Sequence, residues 1–114
     1  MLNLTRHIKG ILAEKIAQIF LNIKGYRILN KRYKTRFSEV DLIAYKNRTI
    51  IFIEIKYRKQ FSLEFNPLSH SQLTRIRKTA NIFITTHRAY VDCQIRFDVI
   101  LIKFFSIRHI VNAF

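Results

Sequence analysis

The sequence predicts a single α/β domain over residues 1–114, with a mixed sheet flanked by helices in the order α-β-β-β-α-β. Three observations carry that prediction. Leu4, Ile8, Leu12, Ile16, Ile19 and Ile23 recur at helical spacing. Two runs rich in Val, Ile and Tyr, Glu39 to Tyr45 and Thr49 to Tyr57, flank a short polar break at Lys46, Asn47 and Arg48, the signal of a hairpin. A second helical pattern, Ser69 to His87, then leads into an apolar run from Ile95 to Phe104.

The first helix has Asn3 or Thr5 as a cap and Gly25 as its stop. Its Leu4–Ile23 row is expected to lie on the sheet, which leaves Glu14 on the polar side as a solvated charge. Tyr26 to Tyr33 reads as the first strand, and Lys31, Arg32, Lys34 and Arg36 crowd its end and the following loop. The first three strands are joined by connections too short for crossovers, so the sheet begins as a meander. In the second helix Leu73, Ile76, Ala80 and Phe83 face the core, and Arg75, Arg77 and Lys78 face outward. On the Ile95–Phe104 strand, Arg96 and Asp98 share a face and form a structural pair. Ile107 to Phe114 adds an edge strand or a short helical turn.

The hairpin concentrates the chemistry. Period 2 puts Val40, Leu42 and Ala44 on one face of its first strand and Glu39, Asp41 and Ile43 on the other. On its second strand Phe52, Glu54 and Lys56 share a face. A two- or four-residue loop that pairs Tyr45 with Ile50 sets Asp41 opposite Glu54 and Glu39 opposite Lys56. A three-residue loop sets the two acids on opposite faces. Opposed carboxylates repel across about 5 Å and need a cation or a shared proton. A hard divalent ion such as Mg²⁺ takes oxygen ligands of this kind and keeps several waters. A lysine two residues on from the glutamate reaches the same water or a phosphate.

Composition points to the partner. Lys and Arg outnumber Asp and Glu by 21 to 7, a net charge of +14 with a pI near 10.5. Such an excess predicts a polyanion, nucleic acid first and an acidic membrane surface second. A hydrophobic share of 49% suits a folded domain and not a disordered basic tail. The lone Cys93 excludes an intrachain disulfide and a cysteine-cluster zinc site, and suits a reducing cytosol. His7, His70, His87 and His109 lack metal-ligand spacing, and two glycines leave nothing to build a dinucleotide or phosphate loop from. The start has no signal-peptide form and no run approaches a membrane span. A cytoplasmic protein is expected.

The segments KGILAEKIAQIFLNIKGYRIL, SEVDLIA, IIFIEIKYR and IRFDVILI, in that order, resemble the YraN-type family. That family belongs to the restriction-endonuclease-like, PD-(D/E)xK nuclease superfamily and is similar to archaeal Holliday-junction resolvases. The resemblance implies the restriction-endonuclease-like core and a Mg²⁺- or Mn²⁺-dependent cleavage of DNA, with RNA as the alternative nucleic acid. By the same resemblance, Asp41, Glu54 and the carbonyl of Ile55 hold the metal, Lys56 orients or activates the nucleophile, Glu39 holds Lys56 in place, and Glu14 sits near the active site. Lys31, Arg32, Lys34, Arg36, Arg58, Lys59, Gln72, Arg75 and Lys78 are the expected phosphate contacts. Three departures stand out: Ser38 and Ser62 occupy places where the family usually has glycine, and Gln72 one where it commonly has lysine. Phe61 to Pro67 reads as a loop that touches substrate, with Glu64 as a loop charge. A junction-cutting enzyme needs two active sites, which makes a homodimer the matching assembly. A basic nucleic-acid-binding module that never cuts is the competing reading, because a motif does not by itself prove chemistry.

Overall fold

In a computed structural model, which describes residues 6–58, 69–103 and 106–113, two short turns and one helical crossover organise the sheet. Helix α1 (Arg6–Ile23) is followed by β1 (Arg27–Lys34), β2 (Glu39–Lys46), β3 (Thr49–Tyr57), helix α2 (His70–Thr86), a single 3₁₀ turn (Arg88–Tyr90), β4 (Gln94–Lys103) and β5 (Ser106–Ile110). The spatial order is β1-β2-β3-β4-β5. The expected meander is present: β1–β2 and β2–β3 are antiparallel, β3–β4 is parallel through α2, and β4–β5 is antiparallel. The fifth strand corrects the order α-β-β-β-α-β. Of the two alternatives expected for Ile107 to Phe114, the edge strand forms over Ser106–Ile110, and Ile107 pairs with Ile102 and packs against the core.

The sheet has two filled faces. Ala13, Ala17 and Leu21 of α1 pack on Leu42, Ala44, Ile51, Ile53, Ile100 and Ile102, and Ile76, Ala80, Phe83 and Ile84 of α2 pack on Ile43, Ile50 and Phe52. The α2 face follows the expectation, with Thr79 also buried and Leu73 half-buried.

The α1 face does not. The expected inward row is turned to solvent: Ile8, Leu12 and Ile16 are 41–43% exposed, Ile19 60% and Ile23 81%, and Leu4 lies outside the described residues. The buried row has the same spacing, Ala13, Ala17 and Leu21. Periodicity defines a row on a helix but not which of two rows faces inward. Here the sheet beneath is already filled by Ile51, Ile53 and Ile100, and only a small-residue row lets the helix backbone approach that closely.

Candidate metal and phosphate site at the parting of two strands

The Asn47-Arg48 turn sets the register of the hairpin. Both residues have positive φ, 50° and 56°, as a two-residue primed turn requires. Tyr45 therefore pairs with Ile50, and the ladder runs to Leu42↔Ile53. This is the register that sends Asp41 toward Glu54. Beyond that last pair β2 leaves β3, while β3 keeps its parallel partner through Tyr57↔Ile102. Asp41 fills the gap. Its Oδ2 accepts the Ile55 N–H at 2.7 Å, taking the place of the missing ladder bond. The Ile55 carbonyl lies on the same edge of the strand as that N–H and faces the same gap.

Strict alternation fails just there. Val40 packs on the α2 side with Tyr33, whereas Leu42 packs on the α1 side. The β1–β2 register shifts between Ile28 and Asn30, and Arg32 has φ 51°. A non-glycine residue at positive φ twists the ribbon locally. The expectation that Asp41 shares a face with Glu54 and Lys56 is corrected accordingly. Asp41 opens on a cavity of about 420 Å³ on the α1 side, lined also by His7, Glu14, Arg32, Ile55 and Tyr57. Glu54 and Lys56 line a cavity of about 220 Å³ on the α2 side, with Phe37, Ser38, Gln72 and Arg75. Glu39, exposed, borders both.

The charge of Glu54 still reaches Asp41 across the split. Burial, and after it the charge of Glu54, pushes the Asp41 carboxyl up to about 7. The Ile55 N–H and the Lys56 ammonium pull the other way, and the charge of Glu14 adds to the rise. Lys56 Nζ lies 3.2 Å from Glu54 Oε1, so Glu54 holds Lys56 where Glu39 was expected to. Glu14 is not a solvated helix charge. Its side chain is 17% exposed, accepts from Arg32 Nε at 3.0 Å and lines the Asp41 cavity. Facing inward beside Ala13, it is carried there by the same rotation of α1 that exposes the isoleucine row. Among the described residues no group of three or more His, Cys, Asp or Glu is gathered closely enough to hold an ion by itself. The oxygen donors at the split are Asp41, Glu54 and the backbone of Ile55.

The basic residues divide into two sets. Lys31 and Arg32 lie on the α1 side near Glu14 and Gln18, and Lys34 is exposed at the end of β1. Arg75 and Gln72 line the Glu54–Lys56 cavity, and Arg36 and Lys78 flank the Phe37 ring at 4.8 and 5.1 Å. Gln72 is the third residue of α2; its Oε1 accepts the Ser69 N–H in a reciprocal cap, which leaves its amide N–H₂ for a ligand. Arg58 is exposed, its guanidinium donating to the Tyr57 carbonyl. Lys59, Ser62 and Glu64 lie outside the described residues.

Two features escaped the sequence reading. The β1–β2 turn is pinned to α2 through hydroxyls: Thr35 Oγ1 and Ser38 Oγ each lie 2.7 Å from the buried Thr79 Oγ1. The Phe37 and Ser38 N–H groups donate to Thr35 Oγ1 as well. Ser38 is absent from the residues at positive φ, and in place of a glycine's freedom it contributes a side-chain anchor. A Ser and two Thr at these positions are the only signal in the sequence. The other feature is a buried ionic knot remote from the split. The expected Arg96–Asp98 pair forms at 2.9 Å, and Asp98, fully buried, also accepts from His109 Nε2 at 2.7 Å and the Asn112 N–H at 2.8 Å. Burial alone would raise the Asp98 pKa; the hydrogen bonds outweigh it and hold it below the ordinary carboxylate value.

The family model described as "Uncharacterised protein family UPF0102" matches residues 13–102, a span holding α1 from Ala13 to its end, the split and the Asp98 strand. A UPF0102 protein of Rhodopseudomonas palustris is 37% identical over 106 residues, 92% of this chain and 82% of the relative. One of Alkaliphilus oremlandii is 36% identical over 112 residues, covering 92% and 96%, and one of Sulfurimonas denitrificans is 33% identical over 104 residues, covering 91% and 94%. The chain belongs to the UPF0102 family.

Proposed function

We infer that this domain is a metal-dependent nuclease, a cytoplasmic enzyme with a restriction-endonuclease-like core that hydrolyses phosphodiester bonds in DNA. One observation supports the reading: where β2 parts from β3, burial and the charge of Glu54 push the Asp41 carboxyl up to about 7, and Lys56 sits on Glu54, in a chain of net charge +14. A carboxyl pushed up to about 7 by burial and a like charge is the state a cation relieves. The donor set fits a hard cation, because carboxylate and carbonyl oxygens suit Mg²⁺ or Mn²⁺ and waters complete the shell.

Asp41, Glu54 and the carbonyl of Ile55 are the groups that would hold the ion. When bound, such an ion lowers the pKa of a coordinated water and polarises a phosphoryl oxygen. The chain's own residues do the rest. Lys56, which lies 3.2 Å from Glu54, would present its ammonium to the attacking water or to the phosphate and stabilise negative charge there. Arg75 and the Gln72 amide bind the flanking phosphates from the first turns of α2. Glu14 holds Arg32 at the rim of the Asp41 cavity, which fixes one cation of the phosphate path.

Labelled duplex, flap, single-stranded and four-way DNA, incubated with Mg²⁺, Mn²⁺ or EDTA, test the reading. Cleavage that needs the metal and vanishes in Asp41→Asn, Glu54→Gln and Lys56→Ala is expected. Binding without cleavage of any substrate would leave the non-catalytic binding module instead. A second copy of the chain is the further proposed partner. The exposed row Ile8, Leu12, Ile16, Ile19, Ile23 advances in steps of four, four, three and four, the spacing of a two-helix seam, and pairs with itself across a two-fold axis. Sedimentation of the wild type against Ile16→Lys, with a dimer in the first and a monomer in the second, is the check.

A further inference from the structure

Among the described residues lining the Glu54–Lys56 cavity, Phe37 is the one aromatic. It is half-buried, belongs to neither core cluster, and sits at the tip of a turn whose backbone is clamped to α2 by Thr35, Ser38 and Thr79. Its ring is flanked by the Arg36 guanidinium at 4.8 Å and the Lys78 ammonium at 5.1 Å, and Arg75 lines the same cavity. A large apolar ring on a rigid turn, bordered by cations and beside a phosphate site, is the arrangement that binds single-stranded nucleic acid. There the ring stacks on a base while the cations track the backbone.

We propose that Phe37 is a stacking platform for an unpaired base next to the scissile phosphate, so that the substrate is DNA with single-stranded character at the cut, a flap or fork and not continuous duplex. This rests on the reading of the neighbouring site as a nuclease. In a duplex each base is already stacked on its neighbours and offers no free π-face to a turn tip; an unpaired base does. The cations over the ring do not block it. An exposed cation–π contact is weaker than a base–aromatic stack. A base therefore displaces one cation from the ring, and that cation moves to the phosphate of the same nucleotide.

The test is metal-free binding in EDTA, measured by fluorescence anisotropy with a labelled single-stranded oligonucleotide and a duplex of the same length. Phe37→Ala should weaken single-strand binding about 5- to 140-fold, the range for removing one stacking ring, and change duplex binding less than twofold. Phe37→Trp should restore single-strand affinity. The chain has no tryptophan, so that variant also carries a lone reporter, whose emission should be quenched by single-stranded DNA and not by duplex. Equal losses on both substrates in Phe37→Ala, no loss on either, or indole emission from Phe37→Trp that is indifferent to single-stranded DNA would each overturn the proposal. Failure of the nuclease reading has a separate signature: the Phe37 discrimination persists in EDTA, yet no substrate is cut with Mg²⁺ or Mn²⁺.

Discussion

Asp41→Asn should make the protein more stable, and by an amount that depends on pH. The amide keeps an oxygen for the Ile55 N–H, which Asp41 Oδ2 now accepts at 2.7 Å, and removes only the charge. In the folded state the carboxyl has a pKa of about 7 against an ordinary 3.8, through burial first and the charge of Glu54 second. Folding therefore favours the protonated form and takes up a proton between pH 4 and 7. Stability is lost as pH rises through that window and falls no further above it. At about 1.36 kcal/mol per pH unit, the ionised group destabilises the fold by a few kcal/mol at pH 8 and by under about 1 kcal/mol at pH 4. Denaturant unfolding of both proteins in EDTA from pH 4 to 8 measures the difference. The variant should gain several kcal/mol over the wild type at pH 8 and under 1 kcal/mol at pH 4. A difference that stays flat with pH would refute the argument that burial and the charge of Glu54 raise the Asp41 carboxyl.

Three other expectations are specific to the geometry. Replacing Lys31, Arg32 and Lys34 by Ala should reduce the log-log salt slope of duplex binding by up to about 2.7, at about 0.9 per phosphate; an unchanged slope would move the DNA path toward Arg75 and Lys78. Thr79→Val removes the partner of both the Thr35 and Ser38 hydroxyls and should destabilise by about 1–3 kcal/mol, while lowering cleavage more than Tm alone explains; activity intact in the folded variant would show that the clamp does not position the split. Asp98→Ala leaves Arg96 without its buried partner and should destabilise by roughly 3–5 kcal/mol, read by urea unfolding at neutral pH, with no effect on DNA affinity of the protein that remains folded.

The fold was legible wherever a local rule decides. Period 2 and the polar break located the hairpin, but loop length was left open between registers, and the positive φ of Asn47 and Arg48 decided it. The Arg96–Asp98 pair was equally legible, because two residues on one strand face cannot avoid each other. His109 and the Asn112 N–H were not, since they reach Asp98 from a five-residue strand whose existence depends on β4. The orientation of α1 was misread for a physical reason. Two rows shared the helical period, and the larger side chains looked like the core, whereas the Ile-filled sheet leaves room only for Ala13 and Ala17. That single rotation also hid the environment of Glu14. At the site, Asp41, Glu54 and Lys56 were visible as residues, but the break in alternation between Val40 and Leu42 was not, because nothing marks Arg32 as a residue that takes positive φ.

Titration of the wild type with Mn²⁺ at pH 8, followed by calorimetry, bears most directly on the claim that the Asp41–Glu54 pair is a metal site. One saturable ion per chain is predicted, with the site lost in both Asp41→Asn and Glu54→Gln. At pH 6, where Asp41 is mostly protonated, binding should in addition release close to one proton, seen as a dependence of the heat on the buffer's ionisation enthalpy. No saturable binding at millimolar Mn²⁺, or binding that both substitutions leave unchanged, would contradict the account.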